Sequence, residues 1–166
     1  MPELVPLDAA HARAVLAFEL ANRAYFARAI SDRGDQYFAD FHHELDERLA
    51  EQAAGGAAFY VLVDDDGSVL GRFNLNRIHD GVAELGYRVA ERAAGKGVAT
   101  RTVVQLGDIA TAEHGLHRLR AACSDANVAS RKVLTNAGFT EVGRADPSDI
   151  GGKQGSWFER DLRADP

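Results

Sequence analysis

A short run near the middle of the chain has the residue types and spacing of a phosphate-binding loop. Its sequence is Arg-Ala-Ala-Gly-Lys-Gly-Val-Ala-Thr over residues 92–100. The residues before this run alternate as in a half-buried strand, and the apolar residues after it repeat at helical spacing. Gly95 and Gly97 let the backbone approach a ligand, and the following helix offers unpaired N–H groups and a positive dipole end. The run therefore predicts an anion site, with added charge from Arg92 and Lys96.

Three known kinds of phosphate loop are candidates for this run. The P-loop spacing fails, because Val98 follows Gly97 without the required Lys. The dinucleotide fingerprint Gly-x-Gly-x-x-Gly fails at its third glycine, where Thr100 stands, and no acidic residue ends a following strand at the expected distance. The third is the Arg-x-x-Gly-x-Gly/Ala loop of acetyl-CoA-dependent N-acetyltransferases. Residues 92–97 resemble it at every fixed position.

A second stretch resembles another motif of the same superfamily, which is called GNAT. Residues 127–139 read Asn-Val-Ala-Ser-Arg-Lys-Val-Leu-Thr-Asn-Ala-Gly-Phe. This Asn-x-x-Ser form is similar to the ribosomal-protein N-terminal acetyltransferase branch, also called RimJ/RimL-like, as is Glu-Leu-Gly-Tyr at residues 84–87. Two motifs in the right order are far more specific than either alone. They cover roughly the C-terminal half of the chain.

The resemblance implies that acetyl-CoA is the co-substrate and indicates which residues hold it. In the family, backbone N–H groups at residues 87–89 stabilise the oxyanion if a bulge leaves them unpaired, and the residue at Asn127 binds the pantetheine arm. Surface solvation is the alternative interpretation for Arg131. The expected cofactor-binding residues are Tyr87, Arg88, Val89, Arg92, Gly95, Lys96, Gly97, Val98, Ala99, Thr100, Asn127, Ser130 and Arg131.

Two residues are candidates for the chemistry of acetyl transfer. Many relatives protonate the departing thiolate with a Tyr, but Leu134 occupies that place here. Ser130 is the remaining hydroxyl, and helix capping is its alternative role. Glu84 is the candidate general base, and a solvent-facing strand carboxylate is the alternative interpretation of it. Asp146 and Asp149 are reserve candidates.

The acceptor is expected to be a protein or peptide N-terminal α-amine. An α-amine has a pKa near 7.7–8.0 and lysine one near 10.4, so a weak base suffices for the former. A small amine such as an aminoglycoside or a polyamine is the main alternative. Four acidic residues on helices that border the acceptor site in the family could attract an amine: Asp32, Asp35, Asp40 and Glu44. The remaining alternatives are a nicotinamide-dependent oxidoreductase and a non-catalytic acyl-CoA sensor.

Composition and net charge limit the functional classes and partners that the sequence allows. The chain has 166 residues and 46% apolar content, which predicts a single domain over residues 1–166, as a monomer or homodimer. Its net charge of −6 argues against a nucleic-acid partner and mildly favours a cationic substrate. The absence of a long apolar run or a signal sequence predicts a cytoplasmic protein without a membrane partner. The histidines lack metal-ligand spacing and Cys123 stands alone, so no metal and no internal disulfide are expected.

The order of the elements predicts the fold. The expected class is α/β, with a mixed, largely antiparallel sheet of six to seven strands and about four helices. One parallel pair should splay, by the resemblance, between the strands bearing Tyr87 and Ala121. A helix is expected from Asp8 to near Arg28, with Tyr25 on its buried face, and then a loop. The predicted strands are 4–7, 58–63, 69–76, 82–90, 119–123, 139–143 and 156–162, and residues 64–68 are predicted to be a hairpin turn. One helix is predicted to follow Gly97 and to close at Gly115, and another to begin at Asn127 and to close at Gly138.

Overall fold

The computed structural model describes residues 1–163, which form seven strands, six α-helices and three short 3-10 turns. The strands are β1 Glu3–Pro6, β2 Ala58–Val63, β3 Val69–His79, β4 Val82–Val89, β5 Arg118–Ser124, β6 Thr140–Arg144 and β7 Gly155–Asp161. The helices are α1 Ala12–Ala21, α2 Arg23–Phe26, α3 Asp35–Ala39, α4 Phe41–Ala53, α5 Val98–His114 and α6 Val128–Asn136. The 3-10 turns are Ala9–His11, Glu91–Ala93 and Pro147–Ile150.

The strands form a mixed sheet in the order β1-β2-β3-β4-β5-β7-β6. β4 and β5 are parallel, with Cα partners from Val82 and Arg118 to Glu84 and Arg120, and α5 is the crossover that a parallel pair requires. The pairs β1/β2, β2/β3, β5/β7 and β6/β7 are antiparallel. The predicted mixed, largely antiparallel α/β sheet is therefore confirmed. The splay of the parallel pair stays a prediction.

Residue contacts divide the chain into two compact units. Unit 1 comprises Met1–Asn76 and Tyr87–Ala94, and unit 2 comprises Arg77–Gly86 and the chain from Gly95. The expectation of one domain stays a prediction, and its last residues, 164–166, lie outside the described part of the chain. Among residues 1–163, no helix is both long enough and apolar enough to cross a membrane.

Unit 1 has its own apolar core, formed by one face of the first helices and by β2. The amide of Gln52 joins the two, because it donates to the Leu7 carbonyl at 3.0 Å and accepts from the Phe59 N–H at 2.8 Å. The core residues are Leu7, Val15, Phe18, Phe26, Phe41, Leu45, Ala57, Phe59, Val61, Val69 and Ala90.

The first predicted helix is interrupted at Asn22, which is a correction. The side-chain nitrogen Nδ2 of Asn22 donates to the Phe18 carbonyl at 2.9 Å, and its side-chain oxygen accepts from the Glu91 N–H at 3.0 Å. These bonds compete with the helical pattern, and α2 resumes in a different phase. As a result Phe26 is buried, whereas Tyr25, expected on the buried face, is only half-buried. The segment predicted as a loop after this helix also contains α3.

Unit 2 contains α5, β5, α6 and the last two strands. α5 begins after Gly97 and ends at Gly115, as predicted. α6 also ends as predicted: Gly138 has a φ of +94°, and the Phe139 N–H donates to the Leu134 carbonyl at 2.9 Å. The buried apolar residues of this unit include Val103, Leu106, Ala110, Leu116, Leu119, Ala121, Leu134, Phe139 and Phe158.

Candidate active site

The turn before α5 has the geometry of an anion-binding loop. Gly95 and Gly97 have φ values of +74° and +76°, which L side chains rarely adopt. Gly97 is the N-cap of α5 and has no side chain to cap the helix. The first N–H that bonds back within the helix is that of Arg101, to the Gly97 carbonyl at 3.1 Å. The N–H groups of residues 98–100 are therefore left at the positive end of the helix dipole, where an anion is favoured.

Arg101 adds a positive charge to this turn, and the sequence analysis missed it. Its guanidinium donates to the Lys96 carbonyl at 3.1 Å. A Cβ added at Gly97 would lie 2.8 Å from Arg101 Nη1, so the guanidinium lies directly against the turn. The spacing could have revealed this role, because residues one helical turn apart share a face. Lys96 is exposed on the same turn.

The Arg92 side chain is bonded to another turn of unit 1. Its guanidinium donates to Ser68 Oγ at 2.7 Å and lies 3.2 Å from an Asp64 carboxylate oxygen. Both partners belong to the turn between β2 and β3. The expected contact of Arg92 with phosphate stays a prediction, and it requires these bonds to be exchanged.

The beginning of α6 brings three candidate groups together. Asn127 is the N-cap, and its Oδ1 accepts from the Ser130 N–H at 3.2 Å. Asn127, and not Ser130, therefore supplies the side-chain cap, and the Asn127 Nδ2 is the group suited to donate to a ligand carbonyl. The Ser130 side chain hydrogen-bonds the buried Cys123 thiol. Burial raises the pKa of that thiol, and the hydrogen bond from Ser130 opposes the rise.

Arg131, on the same helix, is held by protein side chains. Its guanidinium lies 3.0 Å from a Glu141 oxygen and 3.4 Å from an Asp125 oxygen. It also lies 5.4 Å from the centre of the Phe158 ring. These contacts favour a structural role, and the expected contact with the cofactor stays a prediction.

The end of β4 carries the residues expected to present N–H groups to the acetyl carbonyl. The Tyr87 ring stacks on Phe73, with centroids 5.9 Å apart and planes 11° apart. Val89 is half-buried, and the Ala90 N–H bonds to the Leu70 carbonyl at 2.8 Å. The Arg88 side chain points to Glu19, so any cofactor contact of this residue belongs to its backbone. The backbone role of residues 87–89 stays a prediction.

The candidate bases are weakly suited to remove a proton. Glu84 is half-buried in unit 2, and its carboxylate lies 3.6 Å from Arg77 Nε. Asp146 accepts from both the N–H and the hydroxyl of Ser148. The backbone bond first, and then the hydroxyl, lower the pKa of Asp146, which makes it a poorer base. Asp149 lies in the 3-10 turn that Asp146 caps.

The acidic residues expected to attract an amine are partly neutralised. Arg23 binds Asp32 through two bonds of 3.0 and 2.8 Å and Asp35 through one of 2.7 Å. The hydrogen bonds from Arg23 lower the pKa of Asp32 to about 2. Asp40 accepts from the Gln36 amide. These contacts weaken the expectation of an acidic surface that draws in a cation.

A buried ionic group in unit 1 carries more positive than negative charge. We call it the Glu19 cluster, and it consists of Glu19, Arg33, Tyr37, Arg72 and Arg88. Burial alone would raise the pKa of Glu19, but Arg33 and Arg72 outweigh it and hold the pKa below its ordinary value. Burial, and then the charge of Arg33, lower the pKa of Arg88 to about 10. No local sequence pattern predicts this cluster, because most of its members are far apart along the chain.

Known proteins similar to this chain identify its family. A model of the acetyltransferase (GNAT) domain matches residues 3–140. The chain belongs to the acetyltransferase (GNAT) family. This acetyltransferase is 29% identical, over 84% of its chain, to a probable N-acetyltransferase of Bacillus subtilis strain 168 named YjcK, of which it covers 81%. The predicted superfamily and the prediction of an acetyl-CoA-dependent N-acetyltransferase are confirmed.

Solved structures share the fold of this acetyltransferase. The ribosomal-protein-S5-alanine acetyltransferase of Vibrio fischeri superposes with a TM-score of 0.89 at 22% identity, over 99% of this chain and 96% of that one. The spermidine N-acetyltransferase of Vibrio cholerae, solved with CoA and spermine, has a TM-score of 0.78 at 16% identity, over 98% and 96% of the two chains. At these identities the likeness establishes the fold and leaves the acceptor open.

The His, Cys, Asp and Glu side chains of the acetyltransferase are spread over both units. Across residues 1–163, no group of three or more His, Cys, Asp or Glu side chains could hold a metal ion.

Proposed function

We propose that this acetyltransferase transfers an acetyl group from acetyl-CoA to the α-amine of a protein or peptide N-terminus. The amine attacks the thioester carbonyl directly, in a complex that holds both substrates. The choice of acceptor rests on the lowered pKa of Asp146 and on the pairing of the Glu84 carboxylate with Arg77. The cofactor half of the proposal rests on the turn before α5 and on the beginning of α6.

The turn before α5 supports binding of the pyrophosphate of acetyl-CoA. A Cβ added at Gly95 would meet nothing within 4 Å, so the turn is open to a ligand there. Three N–H groups of the first helical turn, together with Lys96 and Arg101, provide donors and positive charge around it. In α6, the Asn127 Nδ2 would donate to a carbonyl of the pantetheine arm.

Ser130 is the group proposed to stabilise the departing thiolate. The amine adds to the thioester carbonyl to give a tetrahedral oxyanion, and collapse of this intermediate breaks the carbon–sulfur bond and releases the CoA thiolate. The Ser130 hydroxyl already bonds a sulfur atom in the protein, that of Cys123. Rotation of the hydroxyl would let it donate to the leaving sulfur instead, and that bond would strengthen as negative charge develops.

The available bases favour an α-amine as acceptor. Asp146 has a lowered pKa, which makes it a poor base for a lysine ammonium, whose pKa is about 10.4. The Glu84 carboxylate is paired with Arg77 at 3.6 Å. An α-amine has a pKa of about 7.7–8.0, so a useful fraction is already neutral at physiological pH. Glu84 would then need only to accept a proton, directly or through water.

A polyamine is the second candidate acceptor. The net charge of −6 favours a cationic substrate, and one enzyme of the same fold is a spermidine N-acetyltransferase. Against it stand the pairing of Asp32 and Asp35 with Arg23 and the net positive charge of the Glu19 cluster. Both features disfavour a polycation in unit 1.

A thiol-release assay with matched acceptors tests the proposal. One peptide has a free N-terminus and no lysine, a second has the same sequence with a blocked N-terminus and one lysine, and the third acceptor is spermidine. We expect the free α-amine peptide to give the largest kcat/KM. Faster reaction of the blocked lysine peptide or of spermidine would contradict the choice of acceptor. Acetyl-CoA binding without thiol release from any amine would instead favour an acyl-CoA sensor.

A further inference from the structure

The Glu19 cluster contains three guanidinium groups and one carboxylate. Arg33 Nε donates to one Glu19 oxygen at 3.0 Å, and Arg72 Nη1 donates to the other at 2.7 Å. Arg88 Nη1 lies farther away, 3.5 Å from the first oxygen. The Glu19 side chain is only 1% exposed, and both of its oxygens are already bonded by the other two arginines. Two positive charges are therefore not balanced within the cluster.

Aromatic rings and a buried donor complete the arrangement. The guanidinium of Arg88 lies 5.2 Å from the centre of the Phe26 ring, and that of Arg33 lies 4.7 Å from the Tyr37 ring. Such stacking fixes the guanidinium planes and leaves their edges to donate. Arg72 is more than nine-tenths buried, and within residues 1–163 its Nε has no hydrogen-bond partner. A purely structural ion pair would need neither the additional charges nor an unbonded donor.

We propose that the Glu19 cluster binds a carboxylate of the acceptor, so that the preferred substrate has an acidic side chain close to its free N-terminus. This inference rests on the proposed function. Arg88 belongs to residues 87–89, whose N–H groups are expected, from the family resemblance, to hold the acetyl carbonyl oxygen. An acceptor whose amine reaches that carbonyl would bring its next few residues close to Arg88.

A carboxylate fits the cluster better than the other groups an acceptor could offer. Arginine forks can bind planar carboxylates through two parallel hydrogen bonds. Glu19 already accepts one bond from each of two guanidinium groups, so the cluster is built to hold a carboxylate. Arg33 and Arg88 are the partly exposed arginines of the cluster, with 26% and 17% of their side chains accessible. They are therefore the two arginines that a substrate carboxylate could contact. Arg72 would act as a positioning residue by holding Glu19 and Tyr37.

The test uses three peptides that have a free N-terminus and otherwise uncharged side chains, with a single Glu at position 2, 3 or 4. Each is compared with a control peptide in which Gln replaces that Glu. For the wild-type protein we expect kcat/KM to be about 10- to 100-fold higher for the Glu peptide at the best position, as for one charge-assisted contact. Arg88→Gln and Arg33→Gln should each reduce that ratio to near 1. Arg28→Gln is the matched control, because Arg28 is exposed and pairs only loosely with Glu91, at 3.6 Å.

Thermal stability separates this role from a structural one. Because Arg88 is repelled by Arg33 and Arg72 and binds Glu19 only at long range, Arg88→Gln should leave the melting temperature unchanged or raise it. A fall in melting temperature with an unchanged Glu/Gln ratio would show a structural network and overturn the proposal. Acetylation of α-amine peptides without any acid preference would overturn the subsite and leave the proposed function intact. Acetylation of spermidine but of no peptide would overturn both.

Discussion

Replacement of Gly97 by alanine tests the phosphate-binding turn, and Gly115 provides a matched control. The two glycines flank α5, with φ values of +76° and +64°. A Cβ at Gly97 would lie 2.8 Å from Arg101 Nη1, whereas a Cβ at Gly115 would meet nothing within 4 Å. Both variants therefore carry similar backbone strain, and only the first disturbs the proposed anion site.

The magnitudes follow from this geometry. An L residue in the left-handed region costs about 1–2 kcal/mol, so each variant should lose about 2–8 °C in melting temperature. In Gly97→Ala the guanidinium of Arg101 must move, and a methyl group enters the turn. Loss of one charge-assisted hydrogen bond costs about 1.5–3 kcal/mol, which corresponds to acetyl-CoA binding about 10- to 100-fold weaker. Gly115→Ala should bind acetyl-CoA as the wild type does.

Calorimetric titration with acetyl-CoA and scanning calorimetry of the same samples measure both effects. Equal melting temperatures with a binding defect confined to Gly97→Ala would support the turn as the pyrophosphate site. Equal acetyl-CoA affinity in the two variants would refute that assignment, because the strain is matched and only the site differs.

Three further predictions concern α6 and the buried cluster. Asn127→Asp keeps a side-chain oxygen for the Ser130 N–H and removes the Nδ2 donor. Calorimetric titration should therefore show weaker acetyl-CoA binding at a nearly unchanged melting temperature. Asn127→Ala removes both groups and should also lose about 1 kcal/mol of stability. Ser130→Ala should lower kcat more than it changes acetyl-CoA affinity or stability, and a normal kcat in steady-state assays would contradict its role at the sulfur. Glu19→Gln should cost about 3–5 kcal/mol at neutral pH, because it leaves buried arginines without their carboxylate. The pKa of Glu19 in the folded protein is lowered from its ordinary value of 4.5. The stability that the Glu19 carboxylate contributes is therefore complete above about pH 4.5 and is lost as the pH falls through the folded pKa. The melting temperatures of the wild type and of Glu19→Gln should converge in acid.

The elements that could be predicted from the sequence are those specified by neighbouring residues. The turn at Gly95 and Gly97, the start of α5 and the N-terminus of α6 at Asn127 are local patterns, in which glycine conformation, helical period and capping agree. The hairpin at residues 64–68 has the same character: the Gly67 N–H bonds to the Asp64 carbonyl at 2.9 Å. The structure places each of these elements where the sequence predicted it.

Features that depend on distant residues could not be predicted. Asn22 interrupts the first helix partly because its side chain accepts from the N–H of Glu91, a residue far along the chain. The Glu19 cluster joins α1, β3 and β4 with α3 and the segment before it, and no single stretch of sequence contains all of its charged residues. Arg92 follows a phosphate-loop pattern, yet its partners Asp64 and Ser68 lie on another turn. Such partners become visible only once the chain is folded.

The site of acetylation on a single peptide tests the central claim most directly. The peptide carries both a free N-terminus and an internal lysine, and it is incubated with the protein and acetyl-CoA before fragmentation in a mass spectrometer. We predict one acetyl group, on the α-amine, with one free thiol released for each peptide modified. An acetyl group on the lysine, or an unmodified peptide under conditions in which spermidine is acetylated, would contradict it.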